Sequence, residues 1–349
     1  MNTTEPLVSI IVPVYKVPEQ YLRKCIESCQ KQTMAEIEIL LIADYEKEPD
    51  ESTLICREYA QRDERMQVIE GIRNGLSAGR NKGFLAAKGT WVMFVDGDDW
   101  IEPDMCEVMY EKGMATDVQL VMSGMYKDYN HSAAEYHVCL EDGKIYRGSN
   151  ECRWLQQQLL VYNSNIAIAY AKLIRRNFLV MNNILHDEEL KRGSEGLEFN
   201  IRMFEHLESA TYTAKPFYHY IYNDASFSAA PDDATHRYVL MSFERIKGSI
   251  KKSKNRNEME PWFDNRLLYV IVTTAISGYF HPENKDSYKM RVKKFSKFME
   301  NPMVAKAINT SNYQGVSCQR KAVLFLIKHR IYRCLEILGK IRKWQKDYK

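Results

Sequence analysis

The stretch A-K-G-T-W-V-M-F-V-D-G-D-D-W, residues 87–100, decides the fold. A glycine turn feeds five apolar residues, Trp91 to Val95, and the chain then breaks into Asp96-Gly97-Asp98-Asp99. A short apolar run bounded by turn signals suits a strand buried on both faces of a parallel sheet. Working outward, V-S-I-I-V-P-V at 8–14 and I-E-I-L-L-I at 37–42 read the same way, the second ending at Ala43-Asp44. Spacing predicts helices over Pro18–Gln32, Thr53–Arg62 and Leu76–Ala87, with a short strand at Met66–Ile69. Strands alternating with helices predict a wound α/β sheet. Both acidic clusters then lie past the carboxyl ends of strands, the edge at which open α/β sheets bind ligands.

That placement gives the acids a chemistry. Alternate carboxylates at a chain turn converge on one point, and hard divalent cations such as Mg²⁺ or Mn²⁺ accept them while phosphate and water complete the shell. The plainer alternative is a set of solvated acids near a helix start. Upstream, G-L-S-A-G-R-N-K-G at 75–83 offers small residues for close backbone approach and Arg80 and Lys82 to offset phosphate charge. A helix packed tightly on the sheet explains the same small residues. Beyond residue 105 the pattern is less regular: Val118–Gly124 reads as a strand, Ile145–Asn150 as a turn, Glu151–Tyr162 and Gly196–His206 as helices, and Thr211–Tyr222 as extended. From about residue 235 everything reads helical, apart from Ser249–Asn257, a basic polar loop.

The 349 residues allow two or three domains, and 45% apolar with 27% charged residues is the composition of a folded globular chain. The net charge of +3 is too small to argue for nucleic acid. It hides an asymmetry. Residues 320–349 hold ten Lys or Arg against Glu336 and Asp347, a net of +8, which leaves −5 on the rest. In that tail Ile331, Leu335, Leu338 and Ile341 recur at helical spacing, with Trp344 near the end. A basic amphipathic helix of this kind can lie on anionic lipid, each cation near the surface contributing about 1 kcal/mol; an ordinary packing helix or a dimer contact would show the same pattern. Leu267–Phe280, the longest uncharged apolar stretch, is too short to span a bilayer. Without a basic, apolar leader the chain is expected to stay in the cytosol, peripheral on the inner membrane face if the tail binds lipid. The eight cysteines, with no C-x-x-C pair, read as reduced, packed thiols.

Taken in order, V-S-I-I-V-P-V-Y (8–15), I-E-I-L-L-I-A-D (37–44), N-G-L-S-A-G-R-N-K-G (74–83), A-K-G-T-W-V-M-F-V-D-G-D-D-W (87–100) and P-D (103–104) resemble bacterial glycosyltransferase family 2, densely over the first 110 residues and loosely to about 230. The resemblance implies a GT-A fold, a Rossmann-like mixed sheet flanked by helices, here with a C-terminal helical extension. It divides the chain into a nucleotide-sugar half (1–105), an acceptor half (106–232) and a helical region with a basic tail (233–349). It implies an inverting, metal-dependent transfer of a hexose or N-acetylhexosamine from a UDP-sugar to a growing surface glycan or lipid-linked saccharide, with Mn²⁺ or Mg²⁺ as cofactor, no nucleic-acid partner and room for a homo-oligomer.

Residue by residue, the resemblance puts Pro13, Val14 and Tyr15 around the base, Asp44 on uracil, and Arg80 and Asn81 beside the nucleotide and sugar. Asp96 and Gly97 belong to the nucleotide-sugar turn, with Asp96 on ribose or metal, Asp98 as main metal ligand and Asp99 near the donor sugar. His219 stands where some relatives place a third metal ligand, although a lone imidazole in an aromatic strand is commonly packed and hydrogen-bonded. Trp100 and Trp154 could stack on sugar rings or fill the core. Two departures matter. A-D-Y-E-K-E-P-D at 43–50 replaces the family's D-D-G-S-x-D, and S-E-G-L-E-F-N at 194–200 replaces G-E-D-x-x-F-N, so Gly196 stands where the family has its aspartate. Inversion needs a carboxylate beside the acceptor hydroxyl. Glu195 is the nearest substitute and Glu198 a weaker one. A nucleotide-sugar-binding scaffold that has lost catalysis is the alternative.

Overall fold

The computed structural model describes residues 5–129, 132–136, 138–161, 164–191, 193–221, 233–310, 313 and 316–347. β1 (Val8–Val14), β-branched and buried, is followed by α1 (Glu19–Gln30), whose Leu22, Cys25, Ile26 and Cys29 face the sheet. β2 (Ile37–Tyr45) runs parallel to β1 and is longer than its apolar run, carrying Asp44 within the strand. α2 (Glu51–Ala60) begins where the Asp50 carboxylate accepts the Thr53 amide, an N-cap. β3 (Met66–Ile72), α3 (Leu76–Ala86) and β4 (Trp91–Phe94) complete the first half. In α3 the small residues serve close packing: a Cβ at Gly83 would lie 2.3 Å from Ile11 Cγ2.

The second half is β5 (Trp100–Ile101), α4 (Met105–Thr116), β6 (Leu120–Asp128), β7 (Ala133–Tyr136), β8 (Ile145–Arg147), α5 (Gly148–Gln158), β9 (Lys172–Arg175), α6 (Arg176–Met181), α7 (Glu195–Glu205) and β10 (Ser209–Ile221). The sheet order is β3-β2-β1-β4-β9-β6-β10-β5, with β7 on β6 and β8 on β10. β9 is antiparallel to both β4 and β6, which makes the sheet mixed. β10 pairs in parallel with β6 through irregularities around Pro216, where a residue without an N–H is tolerated.

Alternation along β1 divides the core. Ile10, Val12 and Val14 join the layer of α1, α2 and α4, while Ile11 faces α3 on the other side. That second layer continues without a break into α8 (Asp233–Lys252), α9 (Arg256–Thr274), a π-turn (Ala275–Tyr279), α10 (Tyr288–Met299), α11 (Pro302–Thr310), α12 (Cys318–Lys328) and α13 (Tyr332–Asp347): Leu155 and Phe204 belong to one apolar cluster with Phe243, Leu267, Phe280 and Phe295. The loop expected over Ser249–Asn257 shrinks to 253–255, because α8 runs through Lys252 and α9 starts at Arg256. The boundary expected at 232 lies outside the described residues. All eight cysteines are free, with Cys139 and Cys318 exposed rather than packed. Among the described residues no helix is long and apolar enough to cross a membrane.

Candidate functional site

At the carboxyl edge of the parallel strands, β1 ends in Pro13 and Val14 with Tyr15 next in the chain, β2 presents Asp44, and the turn after β4 presents Asp96, Gly97 and Asp98. These residues line one cavity of about 640 Å³. Glu195, Gly196 and Leu197, the first turn of α7, close it together with the segment Ala167–Tyr170. Residues from three strand ends and a helix 100 residues further on thus meet at one place.

Arg80 ties the two sides together. Its side chain, 1% exposed, donates from Nη2 to Asp96 Oδ1 at 2.7 Å and from Nη1 to Glu195 Oε1 at 3.4 Å. A guanidinium is suited to this because its planar donors stay charged when buried. Asp44 is buried and accepts Lys82 Nζ at 2.6 Å; burial holds its carboxyl above the ordinary range in spite of that ammonium. Asp98 has no cationic partner among the described residues, and burial together with the Asp96 charge pushes its carboxyl up to about 6. A half-buried carboxylate that lacks a cation among the described residues, two positions from a second carboxylate, is a hard oxygen donor set that fits Mg²⁺ or Mn²⁺ if phosphate oxygens and water supply the rest. No group of three or more His, Cys, Asp or Glu side chains among the described residues could hold a metal alone.

Three expected members are set apart from the cavity. Asn81 donates to the His186 carbonyl at 2.9 Å and to Glu188 at 3.0 Å, and accepts the His186 amide, so it fastens α3 to the 186–188 segment instead of facing a nucleotide. Asp99 turns inward: its carboxylate accepts the Tyr218 hydroxyl at 2.6 Å and the Ile221 amide at 2.8 Å, and burial pushes its carboxyl well up. Tyr218 also accepts the Asp96 amide at 3.1 Å, so β10 braces the acidic turn from behind. His219 is clamped between Glu102 (2.9 Å) and Asp128 (3.0 Å) and stacked on Trp100 at 3.4 Å. Both ring nitrogens have carboxylate partners, so neither is free to ligate a metal held by Asp98. Trp154 stacks on Tyr146, and neither tryptophan lines the cavity.

Other lining groups have no motif to announce them. Arg73, Lys191 and Arg266 join Arg80 around the cavity, and Arg266 comes from α9 of the C-terminal region. Arg73 also donates to the Tyr15 hydroxyl at 3.1 Å and lies over its ring at 4.0 Å. With Lys16, five arginine or lysine side chains line the cavity and suit a polyanion such as a diphosphate. Glu198 is removed from contention as a base: Arg202 holds it through bonds of 2.6 and 2.7 Å, and it does not line the cavity.

The wall opposite the acidic turn is clipped from beneath. Asn165 and Ala171 both have positive φ, 58° and 55°, at the ends of the segment. Between them Asn200 Nδ2 donates to the carbonyls of Ala167 and Ile168, and the buried Lys172 ammonium takes the carbonyls of Ile166 and Ile168. Gly196 permits the close approach, since a Cβ there would lie 3.2 Å from the Ala169 nitrogen. This is a physical reason for glycine where the family has aspartate. Burial pushes Lys172 down to about 7, against 10.5 for an ordinary lysine. Below pH 7 both folded and unfolded chains hold the proton and the burial cost is fully present. Between pH 7 and about 10 only the unfolded chain holds it, so this group's contribution to stability improves as pH rises. Denaturant titrations should show the parent gaining about 2 kcal/mol between pH 7 and 9 relative to Lys172→Met; parallel pH profiles would show that the lysine is already neutral or already solvated.

A larger, open cleft of about 840 Å³ lies where β6 and β10 begin, beside Gln119 and Ser209. Its Arg147 and Arg175 are already spent on the Thr116–Val118 carbonyls and the Asp117 carboxylate. The carboxyl-edge cavity is therefore the candidate active site.

The chain is similar to known glycosyltransferases. The family model for Glycosyl transferase family 2 matches residues 9–179. The uncharacterized glycosyltransferase EpsJ of Bacillus subtilis is 34% identical over 228 residues, 65% of this chain and 64% of EpsJ, just short of two thirds of that relative. EpsH of the same organism is 25% identical over 364 residues, covering 99% of this chain and 98% of EpsH. The crystal structure of S. aureus TarS 1-349 in complex with UDP-GlcNAc superimposes with a TM-score of 0.65 at 16% identity, over 97% of this chain and 92% of that one, a likeness of fold.

Proposed function

The chain belongs to glycosyl transferase family 2, and on that premise we propose that it transfers a hexose or N-acetylhexosamine from a UDP-sugar to a hydroxyl of a surface glycan or lipid-linked saccharide, with inversion at the anomeric carbon. The observation that carries this reading is the convergence of Asp44, Asp96, Asp98 and Glu195 on one cavity, with Arg80 bridging Asp96 and Glu195. UDP in the TarS complex supports the choice of nucleotide.

In this reading Pro13, Val14 and Tyr15 flank the base and Asp44 meets its polar edge. Arg73, Arg80, Lys191 and Arg266 offset the diphosphate charge. Asp98, with Asp96, would hold Mn²⁺ or Mg²⁺, which supplies a Lewis acid for the departing diphosphate. Glu195, in the first turn of α7 and in contact with Arg80, takes the proton of the acceptor hydroxyl. The fixed Ala167–Tyr170 wall positions the acceptor on the Glu195 side.

Gly196 supports a second reading, a nucleotide-sugar-binding scaffold without turnover. Incubation with UDP-GlcNAc, UDP-GalNAc or UDP-glucose and Mn²⁺, followed by assay of released UDP, separates the two. Release above the protein-free blank from at least one donor is expected. Donor binding without release from any of them would favour the scaffold.

A further inference from the structure

The last two helices carry a surface that takes no part in the cavity. The tail's expected apolar stripe is split by the fold: Leu335 is fully buried and Leu338 half-buried, whereas Ile331, Ile341 and Trp344 are exposed. On the outer face of α13, Ile337, Ile341 and Trp344 are 57%, 46% and 61% exposed. Positions i, i+4 and i+7 share one side of a helix, so these three form a ridge about 10 Å long. α12 adds Phe325, 57% exposed. Single exposed apolar residues are ordinary, whereas a contiguous ridge marks an interaction surface.

The ridge is framed by cations. Lys340 and Arg333 fall on the same side of α13 by helical spacing. Lys321, Lys328, Arg330, Lys340 and Arg342 make no ion pair among the described residues. Glu336 is held away from the ridge by Arg291 at 2.7 Å, with Arg333 at 3.7 Å. Among the described side chains of α12 and α13 no other carboxylate is present to offset the cations.

We propose that α12 and α13 dock the protein on an anionic lipid surface, with Ile337, Ile341 and Trp344 entering the headgroup region and the surrounding Lys and Arg side chains meeting lipid phosphates. Charge complementarity selects lipid over a second copy of the chain. A symmetric contact through this face would bring two tails of net +8 together, whereas an anionic bilayer attracts both the cations and the apolar ridge between them. Indole rings also favour the water–lipid boundary. This surface is separate from the sugar-nucleotide reading and stands or falls without it.

Co-sedimentation of the full chain with phosphatidylcholine vesicles, with and without about 30 mol% phosphatidylglycerol, tests the proposal. Binding is expected only to the anionic vesicles and should weaken as salt is raised. The double substitution Ile341→Ser/Trp344→Ser should lower partitioning about ten-fold or more, and Arg330→Glu/Lys340→Glu should lower it as well, with thermal unfolding unchanged because all four side chains are exposed. Equal binding to neutral vesicles, no binding to anionic ones, or unchanged binding of folded variants would overturn it. So would a parent dimer in sedimentation velocity that Ile341→Ser/Trp344→Ser dissociates.

Discussion

Replacing Glu195 by Gln is expected to lower sugar transfer about a thousand-fold while leaving UDP affinity within a few-fold of the parent. The substitution keeps the size of the side chain and removes its ability to accept a proton. Glu195 is the carboxylate of the 194–200 motif that lines the cavity, and it stands across Arg80 from the acidic turn. Glu198 cannot take over without breaking its two bonds to Arg202. A Glu198→Gln variant should therefore affect stability more than chemistry, since it frees a guanidinium that also donates to the Leu185 carbonyl. Steady-state UDP release by the two variants, read beside UDP binding, decides the assignment. If Glu195→Gln turned over at the parent rate, the base would lie elsewhere.

The strands that build the donor side were legible because each is a local pattern. Val8–Val14 forms β1 as expected, and Ile37–Ile42 and Met66–Ile69 form β2 and β3, each three residues longer at its carboxyl end. Trp91 to Val95 and the acidic turn also sit where their apolar run and glycine put them, so Asp44, Asp96 and Asp98 could be brought to one edge from sequence. The insertion of β9 between β4 and β6 could not, because it depends on pairings between Trp91 and Arg175 and between Leu120 and Ile174 that no local period records. The same limit hid Lys191 and Arg266, which reach the cavity from an irregular segment and from α9. His219 illustrates the converse: its motif resembled that of a ligand, but Glu102 and Asp128 are brought to it by β5 and β6 through sheet pairing. The tail's charge was legible and its exposed ridge was not, since spacing alone does not say which side of an amphipathic helix meets the protein.

Asp98→Ala is expected to abolish the benefit of divalent cation for UDP binding, and with it most of the turnover. In the metal-free protein this carboxylate is costly, held up to about 6 by burial and the Asp96 charge with no cation to meet it among the described residues. Its removal should leave thermal stability unchanged or slightly raised, so loss of function would not be loss of fold. A residue kept at such a cost is one whose charge is met by something bound. On this reading the cavity beside Asp98 holds the diphosphate of UDP through a divalent ion. Calorimetric titration of UDP into the parent and Asp98→Ala proteins, each with Mn²⁺ and with EDTA, tests it most directly. Mn²⁺ is expected to tighten UDP binding about ten-fold or more in the parent and to leave the variant unchanged. Equal UDP affinity with Mn²⁺ and EDTA in the parent, or the same Mn²⁺ enhancement in the variant, would contradict it.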